Sequence, residues 1–338
     1  MLSDEGNAAM AGDGATRTTQ RRRGAGLVTI AKVAVTLLIL GYIGSTVDLS
    51  AAVRRVATQN LPLVALAGFI LVVQVGLGGT RWFIILRSLG ARPPLLETLK
   101  LFYVSIFFNA WVPGGIGGDV MRAWLSYRSQ IGAQTAVTSV ILDRVAALVA
   151  VAVLVLLTAP PFLARAGVSM TMLAPILISM IGLVGIVVAA QFERLPTRWL
   201  RFRPLRLLAD LGGSVRSVFL RPAASFPLVA VAVLSQTALG VATYAMAVSL
   251  NMNISFLECV VLMQPVALVG NLPITVGGWG VRETAMITLL GLVGVPASAS
   301  LVLSVQLGLL LLVVALPGGL LWLAMKPAAS RPAATSPP

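Results

Sequence analysis

The stretch "NLPITVGGWGVRE" spans Asn271–Glu283 and decides the fold that this chain is expected to adopt. It interrupts an apolar region between residues 256 and 295. Its proline, glycines, arginine and glutamate would break a membrane helix and bring two charges to membrane depth. Non-helical backbone persists there only where it is buried in protein or lines a watery cavity. The stretch therefore predicts a re-entrant hairpin, in which a helix enters the membrane, breaks and returns to the same face.

Composition predicts that the chain as a whole lies in a membrane. Apolar side chains make up 58% of the 338 residues and charged ones 11%, whereas a soluble domain carries about 25% charged residues. No soluble core of this length would hide that much apolar surface, so most of it is expected to face lipid. The predicted fold class is an all-α polytopic membrane protein.

The counts of cysteine and histidine, together with the net charge, exclude several kinds of functional site. One cysteine and no histidine exclude an intrachain disulfide, the usual zinc ligands and a Ser-His-Asp triad. We therefore predict no cofactor and no metal. The net charge of +14 is typical of cytoplasmic loops on anionic lipid rather than of nucleic-acid binding.

The apolar runs predict the topology. They lie at 27–44, 60–80, 95–111, 134–158, 172–190, 226–250, 256–272, 284–295 and 298–324. A full span needs about 20 residues, and the runs at 95–111 and 284–295 are shorter. The number of membrane crossings agrees with the sides that loop charge assigns to the flanking spans if 95–133 and 256–295 are re-entrant hairpins that enter from opposite faces. The prediction is six full spans plus two hairpins, from eight to nine hydrophobic segments.

Loop charge predicts the orientation and the domain limits. Arginines concentrate near the N-terminus and in the loop 191–225, which places both on the cytoplasmic side of a bacterial inner (plasma) membrane. Both termini are then cytoplasmic. The predicted units are a disordered N-terminus at 1–24, a membrane domain at 25–325 with halves at about 25–190 and 226–325, and a disordered tail at 326–338.

The hairpin motif occurs twice with the spacing P-x3-GG-x3-R. Its residues are Pro113, Gly117, Gly118 and Arg122 in the first hairpin and Pro273, Gly277, Gly278 and Arg282 in the second. Asn109 and Asn271 precede the two prolines. Because the hairpins enter from opposite faces, this repetition predicts an inverted repeat, with the substrate site where its halves meet.

The motif predicts an anion site. Proline ends the incoming helix, and the glycine pair permits a tight turn with close backbone packing. The returning half-helix exposes backbone N–H groups and a positive dipole end, to which the arginine adds a full charge. Such an arrangement suits a phosphate or a carboxylate.

Four further charged residues complete the candidate binding set. Asp119 and Glu283 adjoin the two arginines; they neutralise them at rest, couple to protons or hold the hairpins closed. Asp143 and Arg144 lie inside the run 134–158, where charges need a partner or a cavity. They form a cavity-facing pair near Arg122 or Asp119, or a structural salt bridge to another helix, or the helix begins later than the apolar run.

Four stretches carry a resemblance to a known family: "GGTRWFIILRSLG" (78–90), "FFNAWVPGGIGGDVMRAW" (107–124), "ILDR" (141–144) and "LPITVGGWGVRE" (272–283). Together they resemble the flippase-like membrane domain of lysylphosphatidylglycerol synthases, over about 27–325. The resemblance implies a lipid-handling fold with two re-entrant halves that moves aminoacylated phospholipid between leaflets. Those synthases continue into a cytosolic aminoacyltransferase domain, which a chain ending at Pro338 is expected to lack.

The leading functional hypothesis is a lipid translocase for an anionic or aminoacylated phospholipid or another lipid-linked headgroup. One alternative is a transporter for a small soluble anion. Another is a membrane enzyme, or an accessory subunit of a separate synthase or glycosyltransferase, in lipid-linked aminoacyl or glycosyl transfer. Asp119, Asp143 or Glu283 would then be the acid or base, although the missing histidine disfavours an enzyme. Membrane lipid is the expected partner, and the oligomeric state stays open.

Overall fold

The protein is all-helical over the part of the chain that the computed structural model describes, which is residues 34, 38, 41, 54, 56–111, 117–166, 170–192, 203–270, 275 and 278–325. Within these residues there is no strand. The helices with defined ends are α1 (Leu61–Ser88), α2 (Leu95–Trp111), α3 (Gly117–Arg128), α4 (Ala133–Ala166), α5 (Met170–Gln191), α6 (Arg203–Phe219), α7 (Pro222–Ser249), α8 (Phe256–Gly270), α9 (Val281–Gly291) and α10 (Ala297–Ala324). The predicted fold class is confirmed.

Four of the six predicted full spans are helices long and apolar enough to cross a membrane. They are Leu61–Ser88, Ala133–Thr158, Ser225–Ser249 and Ala297–Ala324. The predicted span at 172–190 forms α5. Its part Ser179–Gln191 is apolar but shorter than the four spanning helices. Most of the span at 27–44, and the predicted termini at 1–24 and 326–338, lie outside the described residues.

Two of the long helices, α1 and α7, pair along the middle of the bundle. Asn60 caps α1 by accepting the Leu63 N–H at 3.4 Å. Its own N–H donates to the Ser249 carbonyl, at the last residue of α7, over 3.0 Å. Nearer the middle of both helices, the Ser235 hydroxyl lies 3.5 Å from the Gln74 carbonyl. The two helices therefore run antiparallel.

The helices around this pair follow the same order in the two halves of the chain. Helices α1 to α4 have 28, 17, 12 and 34 residues, and α7 to α10 have 28, 15, 11 and 28. Each half thus places two short helices between two long ones. We call α2 with α3 the first hairpin, and α8 with α9 the second hairpin.

Glycines let the two short helices of each hairpin approach closely. A Cβ on Gly118, at the start of α3, would overlap the Ser105 carbonyl and the Asn109 side chain of α2. Gly278, with a φ of +76°, lies against the Gly270 carbonyl at the end of α8 in the same way. Any side chain would force these contacts apart. Both hairpins are therefore tight helical pairs, and their depth in the membrane stays a prediction.

The arginine-rich segment 191–225 corrects one prediction. It is not a loop throughout, because it contains α6, a helix of 17 residues. Val215 and Val218 of α6 are buried in a cluster with Ile85, Leu142 and Leu228 of α1, α4 and α7. The segment mixes bulky apolar residues with arginines, a pattern typical of an amphipathic helix, and the apolar face of α6 packs on the bundle.

Candidate functional site

The two hairpins meet at one cavity of about 370 Å³ in the middle of the bundle. Asn109 and Arg122 of the first hairpin line this cavity. Gly278, between α8 and α9, and Arg282 of the second hairpin line it as well. The charged side chains on its wall are Arg81, Asp119, Arg122, Asp143, Arg144 and Arg282. Residues 160 positions apart in sequence, Arg122 and Arg282, therefore share one chamber, as the repeated motif suggested.

Asp143 joins three helices at the first hairpin. Its Oδ1 accepts the Arg81 Nε–H at 2.7 Å, and its Oδ2 accepts the Arg122 Nη1–H at 2.8 Å. The side chains are 4% exposed for Asp143, 10% for Arg81 and 2% for Arg122. Charges buried to this extent are stable only when paired and hydrogen-bonded. Asp143 is therefore the ion-pair partner that holds α1 and α3 against α4.

Asp119 extends this network towards the open part of the cavity. Its Oδ1 lies 3.3 Å from Arg122 Nη2, and its Oδ2 accepts from Nε and Nη2 of Arg144 at 2.9 and 2.7 Å. Arg144 is the most accessible member of the network, with 43% of its side chain exposed. Opposite charges therefore alternate in the order Arg81, Asp143, Arg122, Asp119 and Arg144.

Two aromatic rings fix the guanidinium of Arg122. It lies 5.0 Å from the centre of the Trp82 ring and 5.2 Å from that of Phe102, both within cation–π range. Trp82 is fully buried, and its indole N–H donates to the Ser139 hydroxyl at 3.1 Å. The Arg122 Nε is buried without a hydrogen-bond partner among the described residues. Arg122 is thus firmly placed but keeps one unused donor.

The second hairpin has a smaller network. Arg282 Nη2 donates to Glu283 Oε1 at 2.7 Å, and the same oxygen accepts from the Ser304 hydroxyl of α10 at 3.2 Å. Glu283 Oε2 accepts the Gly280 N–H at 2.5 Å, which caps the start of α9. Glu283 is fully buried, while 14% of the Arg282 side chain is exposed. Glu283 therefore stabilises the helix start and Arg282 together.

Arg282 is also held between a ring and a backbone. Its guanidinium lies 4.7 Å from the centre of the Trp279 ring. On another side it touches Gly308 of α10, where an added Cβ would overlap the guanidinium atoms. Gly308 therefore leaves the space that Arg282 occupies.

The chain matches, over residues 29–319, the family described as the lysylphosphatidylglycerol synthase TM region. It belongs to that family. The match includes both hairpins and every charged residue of the cavity. A comparison with curated proteins finds no match. Membership of the lysylphosphatidylglycerol synthase TM family and the apolar spanning helices identify a membrane protein related to lipid metabolism.

The structure locates ten of the fourteen binding residues that the sequence suggested. Asn109 lies on the cavity wall, where its Oδ1 accepts the Gly118 N–H at 2.9 Å and so fastens the tip of the first hairpin. Gly117 begins α3. Pro113, Asn271, Pro273 and Gly277 lie outside the described residues. The role of the whole set in substrate binding stays a prediction.

Three contributors to this site lie outside the fourteen binding residues that the sequence suggested. Arg81 and Trp82, whose Arg-Trp sequence is typical of an interfacial anchor, are instead buried beside Arg122. Gly308 lies in a long apolar run with no motif around it. The charge of Arg81 within an apolar helix was the signal that could have identified Arg81 as part of the site.

A group of apolar side chains also lines the cavity. It consists of Leu239 on α7, Met263, Val266 and Ala267 on α8, and Leu307, Leu311 and Leu312 on α10. Within the described part of the chain, no three histidine, cysteine, aspartate or glutamate side chains come together as metal ligands. The chamber is therefore lined by both cationic and apolar groups.

Proposed function

We propose that this member of the family moves phospholipid between the leaflets of a membrane and holds the anionic headgroup in the central cavity. One observation carries the proposal: arginines from both hairpins line a single chamber that is also lined by apolar side chains. A phospholipid combines the same two kinds of group, because a charged phosphodiester is joined to hydrocarbon. A small soluble anion would make no contact that requires the apolar lining.

The arginines supply the chemistry for a phosphodiester. A guanidinium presents several N–H donors in a planar fork that matches phosphate oxygens. Arg144 and Arg282 keep part of their side chains exposed to the cavity. Arg81 and Arg122 are more deeply buried and strengthen the positive field behind them. We propose that Arg144 and Arg282 contact the phosphate directly.

The repeated order of the helices supports movement between two faces. In transporters built from inverted repeats, substrate binds near the midplane where broken helices of the two halves meet. The present halves share a helix order and a broken helical hairpin, and both hairpins reach the cavity. We propose that they form such an inverted repeat and open the cavity to one leaflet at a time.

We propose that the chain acts in a bacterial inner membrane, with the 191–225 segment cytoplasmic, and is not itself an aminoacyltransferase. Its arginines support that orientation. Ser214→Cys on α6 would be labelled by an impermeant thiol reagent only after the cytoplasmic face is exposed. The native Cys259 is buried and gives little background. Labelling from the outer face of intact cells would refute the orientation.

The direct test is leaflet exchange of labelled phosphatidylglycerol in sealed proteoliposomes. We expect exchange by the wild type and a loss of about tenfold or more in Arg122→Ala and Arg282→Ala, with thermal unfolding used to confirm that each variant folds. Arg128→Ala removes an exposed arginine from the same helix as Arg122, away from the cavity, and should exchange normally. Equal exchange in all four proteins would refute the proposal.

A further inference from the structure

We infer that the cavity selects a phospholipid with one net negative charge and a hydroxyl-bearing headgroup, and rejects headgroups that carry an amine. The inference rests on the proposed function and narrows its substrate. It concerns the balance of charge in the chamber and the donors and acceptors left for a ligand. The alternatives that it excludes are zwitterionic, aminoacylated and diphosphate lipids.

The described residues of the site leave one positive charge uncompensated. Four arginines, Arg81, Arg122, Arg144 and Arg282, face three carboxylates, Asp119, Asp143 and Glu283. The stretches 112–116, 271–274 and 276–277, which lie outside the described residues, contain no charged residue. Their side chains leave that balance unchanged. A phosphodiester monoanion neutralises the chamber, whereas a diphosphate brings excess negative charge.

The carboxylates offer little to an ammonium group. Asp143 is 4% exposed and binds an arginine through each oxygen. Glu283 is fully buried, and both of its oxygens accept hydrogen bonds. Asp119 is 18% exposed, but Arg144 occupies its Oδ2 with two hydrogen bonds and Arg122 lies 3.3 Å from its Oδ1. An amine in the headgroup would therefore meet arginines without a carboxylate to pair with it, which is a repulsive arrangement.

An unused donor and neutral polar groups fit a phosphate joined to hydroxyls. The Arg122 Nε is buried on the chamber wall without a hydrogen-bond partner among the described residues. A buried donor of this kind is costly unless a ligand or water satisfies it. Gln74, Gln236 and Ser235 add amide and hydroxyl groups to the same wall. Such groups both donate to and accept from glycerol or sugar hydroxyls.

Arg144 is the residue that sets this preference, because it supplies the excess charge and occupies Asp119. Arg144→Gln makes the described site neutral and releases a carboxylate oxygen for an ammonium group. Arg144→Lys keeps the charge and the Asp119 pairing, although it loses the guanidinium fork. The two variants therefore separate charge balance from the loss of a large side chain.

The test compares exchange of short-chain labelled phosphatidylglycerol, phosphatidylethanolamine and lysylphosphatidylglycerol in proteoliposomes. For the wild type we expect phosphatidylglycerol to exchange roughly tenfold faster than either amine lipid. In Arg144→Gln the rate of phosphatidylglycerol exchange, divided by the rate of phosphatidylethanolamine exchange, should fall to about one or below. Arg144→Lys and Arg128→Gln should keep a clear preference for phosphatidylglycerol. Thermal unfolding of each variant checks its folding.

The outcomes separate this inference from the function on which it rests. Equal wild-type exchange of all three lipids, or an unchanged preference in folded Arg144→Gln, would overturn the selectivity while leaving lipid exchange intact. Exchange no faster than in protein-free liposomes would overturn the function itself. Glycerol 3-phosphate trapped inside the liposomes is the probe for a soluble phosphate. Its release without lipid exchange would overturn both the selectivity and the proposed lipid exchange. Its retention supports a lipid as the source of the phosphate.

Discussion

The two hairpins share one motif spacing and one helix arrangement but hold their arginines differently. Arg122 pairs with Asp143, which lies 21 residues later on α4. The residue 22 positions after Arg282 is Ser304 on α10, which contributes only a hydroxyl. The carboxylate for Arg282 is instead its neighbour Glu283. The first hairpin is thus tied to other helices by ion pairs, and the second pairs its arginine within α9.

This difference assigns the hairpins separate roles. Breaking the first network leaves buried charges in three helices without partners, so it should lower the stability of the fold as well as lipid exchange. The second arginine pairs locally and rests between Trp279 and Gly308, so α9 can shift without separating an ion pair between helices. We propose that the first hairpin is the fixed side of the cavity and the second is the side that moves.

The largest effect is expected for Asp143→Asn. The change removes the charge that compensates Arg81 and Arg122, both almost fully buried. Removing one partner of a buried ion pair destabilises by about 3–5 kcal/mol, so the midpoint of thermal unfolding in detergent should fall steeply. Asp210→Asn, at an exposed position on α6, is the control and should change it little. An unchanged midpoint for Asp143→Asn would refute the description of Asp143 as the central ion-pair partner.

The sequence was sufficient to predict the hairpins because their signals are local. Proline and glycine interrupt apolar runs, and Asn109, Gly118 and Gly278 lie at the tips, within a few residues of those breaks. The spanning helices were equally visible, since their apolar length alone identifies them. Features that depend on neighbouring residues in the sequence were therefore predictable from a single chain.

The partners of the charged residues were not predictable in the same way. Arg81 and Asp143 are 62 residues apart, and nothing in either local sequence indicates the other. Gly308 contacts Arg282 only after α10 has packed against α9. Such pairings depend on how whole helices pack together, so the sequence left open whether Asp143 faces a cavity or forms a structural bridge. In the structure it does both.

A second, smaller effect is expected for Gly308→Ala, which tests the second hairpin. Its methyl group would overlap the guanidinium of Arg282 and displace it from the cavity. Lipid exchange should fall by about tenfold, a loss equivalent to about 1.4 kcal/mol, while the first hairpin keeps its network. The measurement is exchange in proteoliposomes, with the midpoint of unfolding measured in parallel.

Gly182→Ala is the matched control for that substitution. Gly182 lies in α5 with no atom within 4 Å of an added Cβ, so the change should favour the helix by up to about 1 kcal/mol and leave exchange unaltered. If Gly308→Ala behaved like Gly182→Ala, raising stability at constant exchange, the close packing of Gly308 on Arg282 would be disproved.

The smallest effects come from two buried serines that occupy comparable places, Ser139 on α4 and Ser304 on α10. Ser139 accepts from Trp82, and Ser304 donates to Glu283. Replacing either with alanine removes a hydrogen bond worth about 1 kcal/mol, so the unfolding midpoints should fall by similar amounts. Exchange should fall only in Ser304→Ala, because that hydroxyl also lies 3.4 Å from Arg282 Nε and helps to orient it. Equal loss of exchange in both variants would contradict this difference between the two hairpins.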